Sequence, residues 1–199
     1  MKLALMITTK RKKWKDLLNA KNFLVLPGAY DALTATLIER AGFLAYVIGG
    51  YPIVGSRYAI PDIGLVALGE ISTGIRDVIA ASSLPALVDA DTGYGDVKNV
   101  TYTVQVYEKM GAGAIFIEDQ VSPKRCGHMA GKDVISKEEM VKKIKAAAAA
   151  RNSKDLFLIA RTDARQVHGL DEALRRCEAY IKAGADGVFV EAPETVNEL

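Results

Sequence analysis

With 199 residues, half of them apolar and a quarter charged, the chain is long enough for one sizeable core and too apolar for disorder. Its 26 Lys and Arg nearly balance 24 Asp and Glu, and the formal charge of +2 gives no electrostatic case for nucleic acid or a membrane surface as partner. No apolar run approaches a membrane span, so the expectation is a cytoplasmic protein, residues 1–199 forming a single domain, with Cys126 and Cys177 as reduced thiols.

The opening LALMI is too short for a signal-peptide core. TTKRKKWKDLLNA (8–20) reads as an amphipathic helix, with Trp14, Leu17 and Leu18 on one side and the basic run Lys10 to Lys13 on a solvated face. Six continuously apolar runs follow: FLVLPGAYDA (23–32), FLAYVIGG (43–50), LPALVDADTG (84–93), AIFIEDQ (114–120), LFLIARTDA (156–164) and GVFVEAP (187–193). Unbroken apolarity is what parallel strands covered on both faces require. Helices alternate with them. Asp96 caps one whose Val97, Val100, Val104 and Tyr107 form a stripe, and SKEE (136–139) is a capping box. A third places Leu170, Leu174, Cys177 and Ile181 inward.

RAGFLAYVIGG, KMGAGAIFIEDQ and KAGADGVFVEAP form a weak repeat in which a helix ends at Gly and a strand begins. Without a GxGxxG after the first strand, the pattern favours a (β/α)₈ barrel over a dinucleotide-binding sheet. About six of eight βα units are present, so the expected architecture is a TIM-type barrel incomplete at the C-terminus. An open doubly wound sheet is the alternative.

In such folds reactive groups gather at the C-terminal strand ends. The polar residues fall there: Gly49-Gly50-Tyr51, Asp89 and Asp91, Glu118 and Asp119, Arg161 and Asp163, then Glu191. Asp89, Asp91 and Glu118 make an oxygen-only cluster, which points to Mg²⁺, with Mn²⁺ possible, rather than zinc. Capping aspartates with a salt bridge to Arg161 are the plainer alternative. In KRCGHMAGK (124–132), Cys126 follows Lys124 and Arg125 and precedes His128. Neighbouring cations lower a thiol's pKa and make it a usable proton donor or acceptor. Gly127 and Gly131 suit a loop that closes over a ligand. Cys177 reads as a buried small hydrophobe, and His168 as a surface or capping residue. A divalent metal, cations for an anionic substrate and a poised acid suit chemistry through an enolate.

KRCGHM resembles the isocitrate lyase signature. LPGAYDALTA (26–35), YAIPDIGL (58–65), PALVDADTGYG (85–95), IEDQ (117–120), SKEEMV (136–141), ARTDA (160–164) and EAPE (191–194) extend the likeness over nearly the whole chain. The sequence is similar to the short branch of the isocitrate lyase/phosphoenolpyruvate mutase superfamily, that of the 2-methylisocitrate and 2,3-dimethylmalate lyases. This resemblance implies a barrel and Mg²⁺-dependent retro-aldol (Claisen-type) cleavage of a 2-hydroxy di- or tricarboxylate into an oxo-acid and a smaller carboxylic acid. It implies that Asp89 ligates the metal, that Asp91 and Glu118 hold its waters, and that Cys126 protonates the departing carbon. Lys124, Arg125, Gly127 and His128 would form the gating loop, and Gly49, Gly50, Arg161 and Glu191 would contact substrate. Asp62 would support the site, and Tyr46 would assist the hydroxyl proton. Ile48 stands where the family commonly has Ser or Thr. Full-length relatives carry two further βα units and assemble as homo-oligomers, commonly tetramers. Oxaloacetate decarboxylation or phosphonomutase chemistry is the sibling reading, and an inactive fragment is the rival from outside enzymology.

Overall fold

The computed structural model describes residues 11–20, 23–127 and 129–198. Its helices are α1 (Trp14–Ala20), α2 (Ala32–Arg40), α3 (Gly50–Tyr58), α4 (Leu68–Ala80), α5 (Val97–Met110), α6 (Lys137–Ala150), α7 (Ala164–His168) and α8 (Leu170–Lys182). The strands are β1 (Tyr46–Ile48), β2 (Ala86–Asp89), β3 (Ala114–Glu118), β4 (Phe157–Thr162) and β5 (Gly187–Val190). All pairings are parallel and follow chain order, β1-β2-β3-β4-β5. A doubly wound sheet reverses its order at a switch point, whereas a barrel wall does not. The order observed is that of a barrel wall.

The first expected strand survives only as one bridge, Gly28 to Val47, in which the Val47 N–H donates to the Pro27 carbonyl and the Ala29 N–H to the Val47 carbonyl. The next rung would need an N–H at position 27, and proline has none. Asp31 then caps α2 by accepting from the Thr34 N–H at 2.7 Å.

Strand side chains alternate between two clusters. Tyr46, Ile48, Val88, Ile115, Ile117, Leu158 and Ala160 pack against Ile71, Ile75, Val104, Tyr107, Ile144 and Tyr180 of the helices. Leu87, Ala114, Phe116 and Phe157 face the other way, where Trp14 and Leu17 of α1 cover them. Leu18, expected on the same side, is exposed. Of the basic run, Lys10 lies outside the described residues. Arg11 is structural rather than solvated, donating to the carbonyls of Ile79 at 2.7 Å and Ser82 at 3.0 Å at the end of α4.

Three glycines predicted to end helices, Gly42, Gly111 and Gly184, all have positive φ. In α5, Val100, Val104 and Tyr107 are buried as expected, while Val97 in the first turn is exposed. In α6, Ser136 caps by accepting from the Glu139 N–H. The inner face of α8 differs from expectation: Ala173, Arg176, Cys177 and Tyr180 are buried, and Leu174 and Ile181 are exposed. The helix is turned because Arg176 and Tyr180 both donate to Asp119, at 3.0 and 2.8 Å, just beyond β3. A periodicity count of apolar residues misses a face fixed by a buried cation. No helix among the described residues is long and apolar enough to cross a membrane.

Asp186, in the turn before β5, accepts from the Leu158 N–H at 3.0 Å and Lys15 at 3.0 Å, and pairs with Arg151. Burial works to raise its pKa, but those partners outweigh it and hold the carboxyl below its ordinary value. A depressed folded-state pKa contributes stability that is present above the unfolded value and lost as pH falls through the folded one. Asp186→Ala should therefore cost about 1–3 kcal/mol in urea denaturation at pH 7, by leaving the Leu158 amide and Arg151 short of a partner. The difference from wild type should shrink below pH 3.

Candidate functional site

The inward rows of the strands, apolar along most of their length, turn polar at their C-terminal ends. Counting by twos, Leu87 leads to Asp89, Phe116 to Glu118, Ile159 to Arg161 and Phe189 to Glu191. Register sets Glu118 beside Arg161 and Arg161 beside Phe189. These side chains line a cavity of about 320 Å³ with Gly49, Gly50 and Tyr51 at one wall. Lys124, Cys126 and Gly127 cover it from the loop after β3. A second cavity, about 500 Å³, lies beyond Lys124 and Asp91. It is larger, but the convergent charges belong to the first.

The Lys124 ammonium stands among the carboxylates, 2.8 Å from Asp62 Oδ2 and paired also with Asp91. Burial works against its charge, yet Asp89, Asp91, Glu118 and Asp62 outweigh that and hold its pKa above the ordinary value. Burial, reinforced by the Asp89 charge and opposed by Lys124, pushes Asp91 up to about 6. Glu118 is raised well above the carboxylate range by burial, with Arg161 and Lys124 opposing. The backbone cooperates. Asp89 accepts from the Gly50 N–H at 2.9 Å and, through its other oxygen, from the Asp91 N–H at 2.9 Å. That Asx-type turn carries Asp91 into the left-handed region at φ +49°, where short polar side chains are tolerated. A Cβ at Gly50 would come within 3.1 Å of Asp62 and 3.2 Å of Asp89, so the chain approaches the carboxylates as closely as bare backbone allows.

The donor set fits a hard divalent cation, being oxygen only, and Glu118 Oε1 is buried without a hydrogen-bond partner among the described groups. No ready-made cage of three His, Cys, Asp or Glu groups stands among the described residues, since the ammonium holds the middle of the cluster.

Arg161 is gripped from three sides. Its Nε lies 3.4 Å from Glu118 and 3.0 Å from Asp163, and its Nη2 3.3 Å from Glu191. The guanidinium lies over both the Phe116 and Phe189 rings, 5.9 and 5.4 Å from their centroids, and the two rings meet edge to face at 5.8 Å.

The cavity thus gathers Cys126, Lys124, Gly49, Gly50, Gly127, Arg161, Glu191, Asp89, Glu118 and Asp62. Asp91 joins through Lys124 and faces the second cavity. Tyr46 is not brought in. It has the opposite strand parity, lies wholly buried in the sheet–helix core, and its hydroxyl donates to the Val78 carbonyl at 3.4 Å, with burial pushing its pKa up to about 12. Ile48 shares that parity and packs in the same core. Arg125 has an exposed side chain directed to the Ala130 carbonyl, while its backbone is held by Gln120. His128 lies outside the described residues. His168 is exposed at the end of α7, and burial pushes the Cys177 thiol up to about 11. Sequence reasoning passed over Phe116 and Phe189, which the period-two count finds two residues before Glu118 and Glu191. It also left Lys132 unassigned, for which the sequence offers no local signal.

A family model described as phosphoenolpyruvate phosphomutase matches residues 14–199. The 2,3-dimethylmalate lyase of Eubacterium barkeri is 48% identical over 187 residues, 94% of this chain and 65% of that protein. The 2-methylisocitrate lyase of Aeropyrum pernix is 46% identical over 185 residues, 93% of this chain and 59% of that one. The chain therefore spans less than two thirds of either relative. Among solved structures, oxaloacetate acetylhydrolase in complex with 3,3-difluorooxalacetate superposes with a TM-score of 0.90 at 33% identity, covering 96% of this chain and 66% of the other. Strand order, cavity and sequence agree, and the chain belongs to the phosphoenolpyruvate mutase/isocitrate lyase superfamily.

Proposed function

We propose that this chain carries the reacting wall of a cytoplasmic, homo-oligomeric carbon–carbon lyase. Its substrate is a 2-hydroxy di- or tricarboxylate of the 2,3-dimethylmalate or 2-methylisocitrate type. The observation that carries the reading is Cys126 held beside Gly127 at the mouth of a cavity whose walls are Arg161–Glu191 on one side and a buried carboxylate cluster on the other. In the reaction the substrate hydroxyl gives its proton to a carboxylate of the cavity wall as the adjacent C–C bond breaks, and that proton returns to the Cys126 thiolate, by way of solvent, at the end of the cycle. The oxo-acid is released, and the bonding pair passes into the departing carboxylate, whose α-carbon then takes the Cys126 thiol proton. The buried, permanently charged Arg161 holds a substrate carboxylate, with the backbone of Gly49 and Gly127 lining the same cavity. Asp89, Asp91 and Glu118 would hold a divalent cation, Mg²⁺ by donor type, which when bound supplies charge stabilisation for the developing enolate. The half-buried Cys126 beside cationic groups favours this reading over oxaloacetate decarboxylation or phosphonomutase chemistry, which need no thiol donor, and over an inactive fragment.

Purified protein with Mg²⁺ should convert 2,3-dimethylmalate to pyruvate and propionate, or 2-methylisocitrate to pyruvate and succinate, followed by coupled pyruvate assay. Cleavage of neither would sink the lyase reading. Cys126→Ser should lower kcat by at least about 10³-fold with an unchanged melting temperature, within the range for losing a positioned acid; substantial retained turnover would remove Cys126 from that role. Lys124→Met strips Asp62 and Asp91 of their buried ammonium. It should cost about 3–5 kcal/mol of stability, and millimolar Mg²⁺ should raise the melting temperature of the variant more than that of wild type. Equal responses would contradict the placement of the cation among these carboxylates.

A further inference from the structure

The loop over the cavity, anchored at Lys124 among the carboxylates, is also fastened on either side of Cys126. Before it, Gln120 grips the Arg125 backbone through both its N–H and its carbonyl, each at 3.0 Å. After it, the Lys132 ammonium donates to the Gly127 carbonyl at 2.8 Å and to Asp163 Oδ1 at 2.7 Å. Lys132 and Asp163 side chains have no solvent exposure, so this ion pair is unscreened. The same Asp163 oxygen accepts from Arg161 Nη2 at 3.1 Å, and its other oxygen from Arg161 Nε at 3.0 Å. One carboxylate therefore ties the cavity wall to the loop above it. The contact at Gly127 is close: a Cβ there would come 2.5 Å from Arg161 Nη2 and 2.8 Å from Glu191 Oε1.

From this geometry we infer that Lys132 is a positioning residue that fixes the Cys126 thiol over the cavity by holding the Gly127 carbonyl while the α-carbon of Gly127 packs against the Arg161–Glu191 pair. Its effect on turnover rests on the lyase reading; its effect on the thiol does not. Removing Lys132 leaves Asp163 paired with Arg161, and the Asp163 N–H still donates to Asp119, so the carboxylate is not left without a partner. Cys126 would keep its ties through Lys124, the Arg125 backbone and the Met129 N–H, but the segment after it would lose its anchor to Asp163. A thiol that acts after substrate is bound and is displaced by about 1 Å loses rate of order 10²-fold, with little change in ground-state binding.

The test compares Lys132→Met, Lys132→Gln and Lys132→Arg with wild type, by iodoacetamide labelling read by mass spectrometry and by steady-state kinetics. Lys132→Met should label at Cys126 several-fold faster while Cys177 stays protected. Its kcat should fall about 10–100-fold with KM within about 3-fold, and Lys132→Arg should restore most of both. Unchanged Cys126 labelling in folded Lys132→Met, or an arginine variant no better than methionine, would overturn the inference. Should Lys132→Met not fold, Lys132→Gln carries the same comparison. If wild type cleaves neither substrate the lyase reading fails, and the labelling rates alone decide the role of Lys132.

Discussion

Four carboxylates, Asp62, Asp89, Asp91 and Glu118, are buried around one ammonium, Lys124. Two like charges about 4 Å apart repel by roughly 4 kcal/mol at an effective dielectric of about 20, and an uncompensated buried charge costs as much. A cation among them offsets that repulsion. In this structure the cation comes from the loop after β3, so the demand of the carboxylates draws that loop across the strand ends. Cys126 lies two residues beyond the lysine that is drawn in. The position of the thiol is thus a consequence of charge burial rather than of local loop preference.

A second buried pattern lies behind the first. Asp163 joins Arg161 to Lys132, and its N–H donates to Asp119 at 2.9 Å. Asp119 in turn accepts from Thr162, Arg176 and Tyr180. Cavity wall, loop and α8 are linked through alternating charges, each satisfied by its neighbours. Such a network favours one arrangement, because its members satisfy one another's buried polar groups. The turned face of α8 and the exposure of Leu174 and Ile181 follow from it.

Local rules made the strand and helix pattern legible, along with the gathering of Asp89, Glu118, Arg161 and Glu191, because alternation along parallel strands decides both. The same rule places the hydroxyl of Tyr46, one residue out of phase, in the core. Pro27 reduced the first strand to a bridge, and the cue was visible. The partnership of Lys132 with Asp163 was not legible, since it joins residues 31 apart through a loop whose path depends on the carboxylate cluster. Nor was the shape of the cavity beside Phe116 and Phe189, which depends on register across three strands.

On the proposed reading these charges serve one event, delivery of a proton from Cys126 to one face of a carbon held in the cavity. Cleavage of 2,3-dimethylmalate in D₂O, with the configuration of the resulting 2-deuteriopropionate determined, tests that most directly. A fixed thiol predicts a single deuterium at C2 in one configuration only. Racemic label would mean that solvent protonates a released enolate, and would contradict the account.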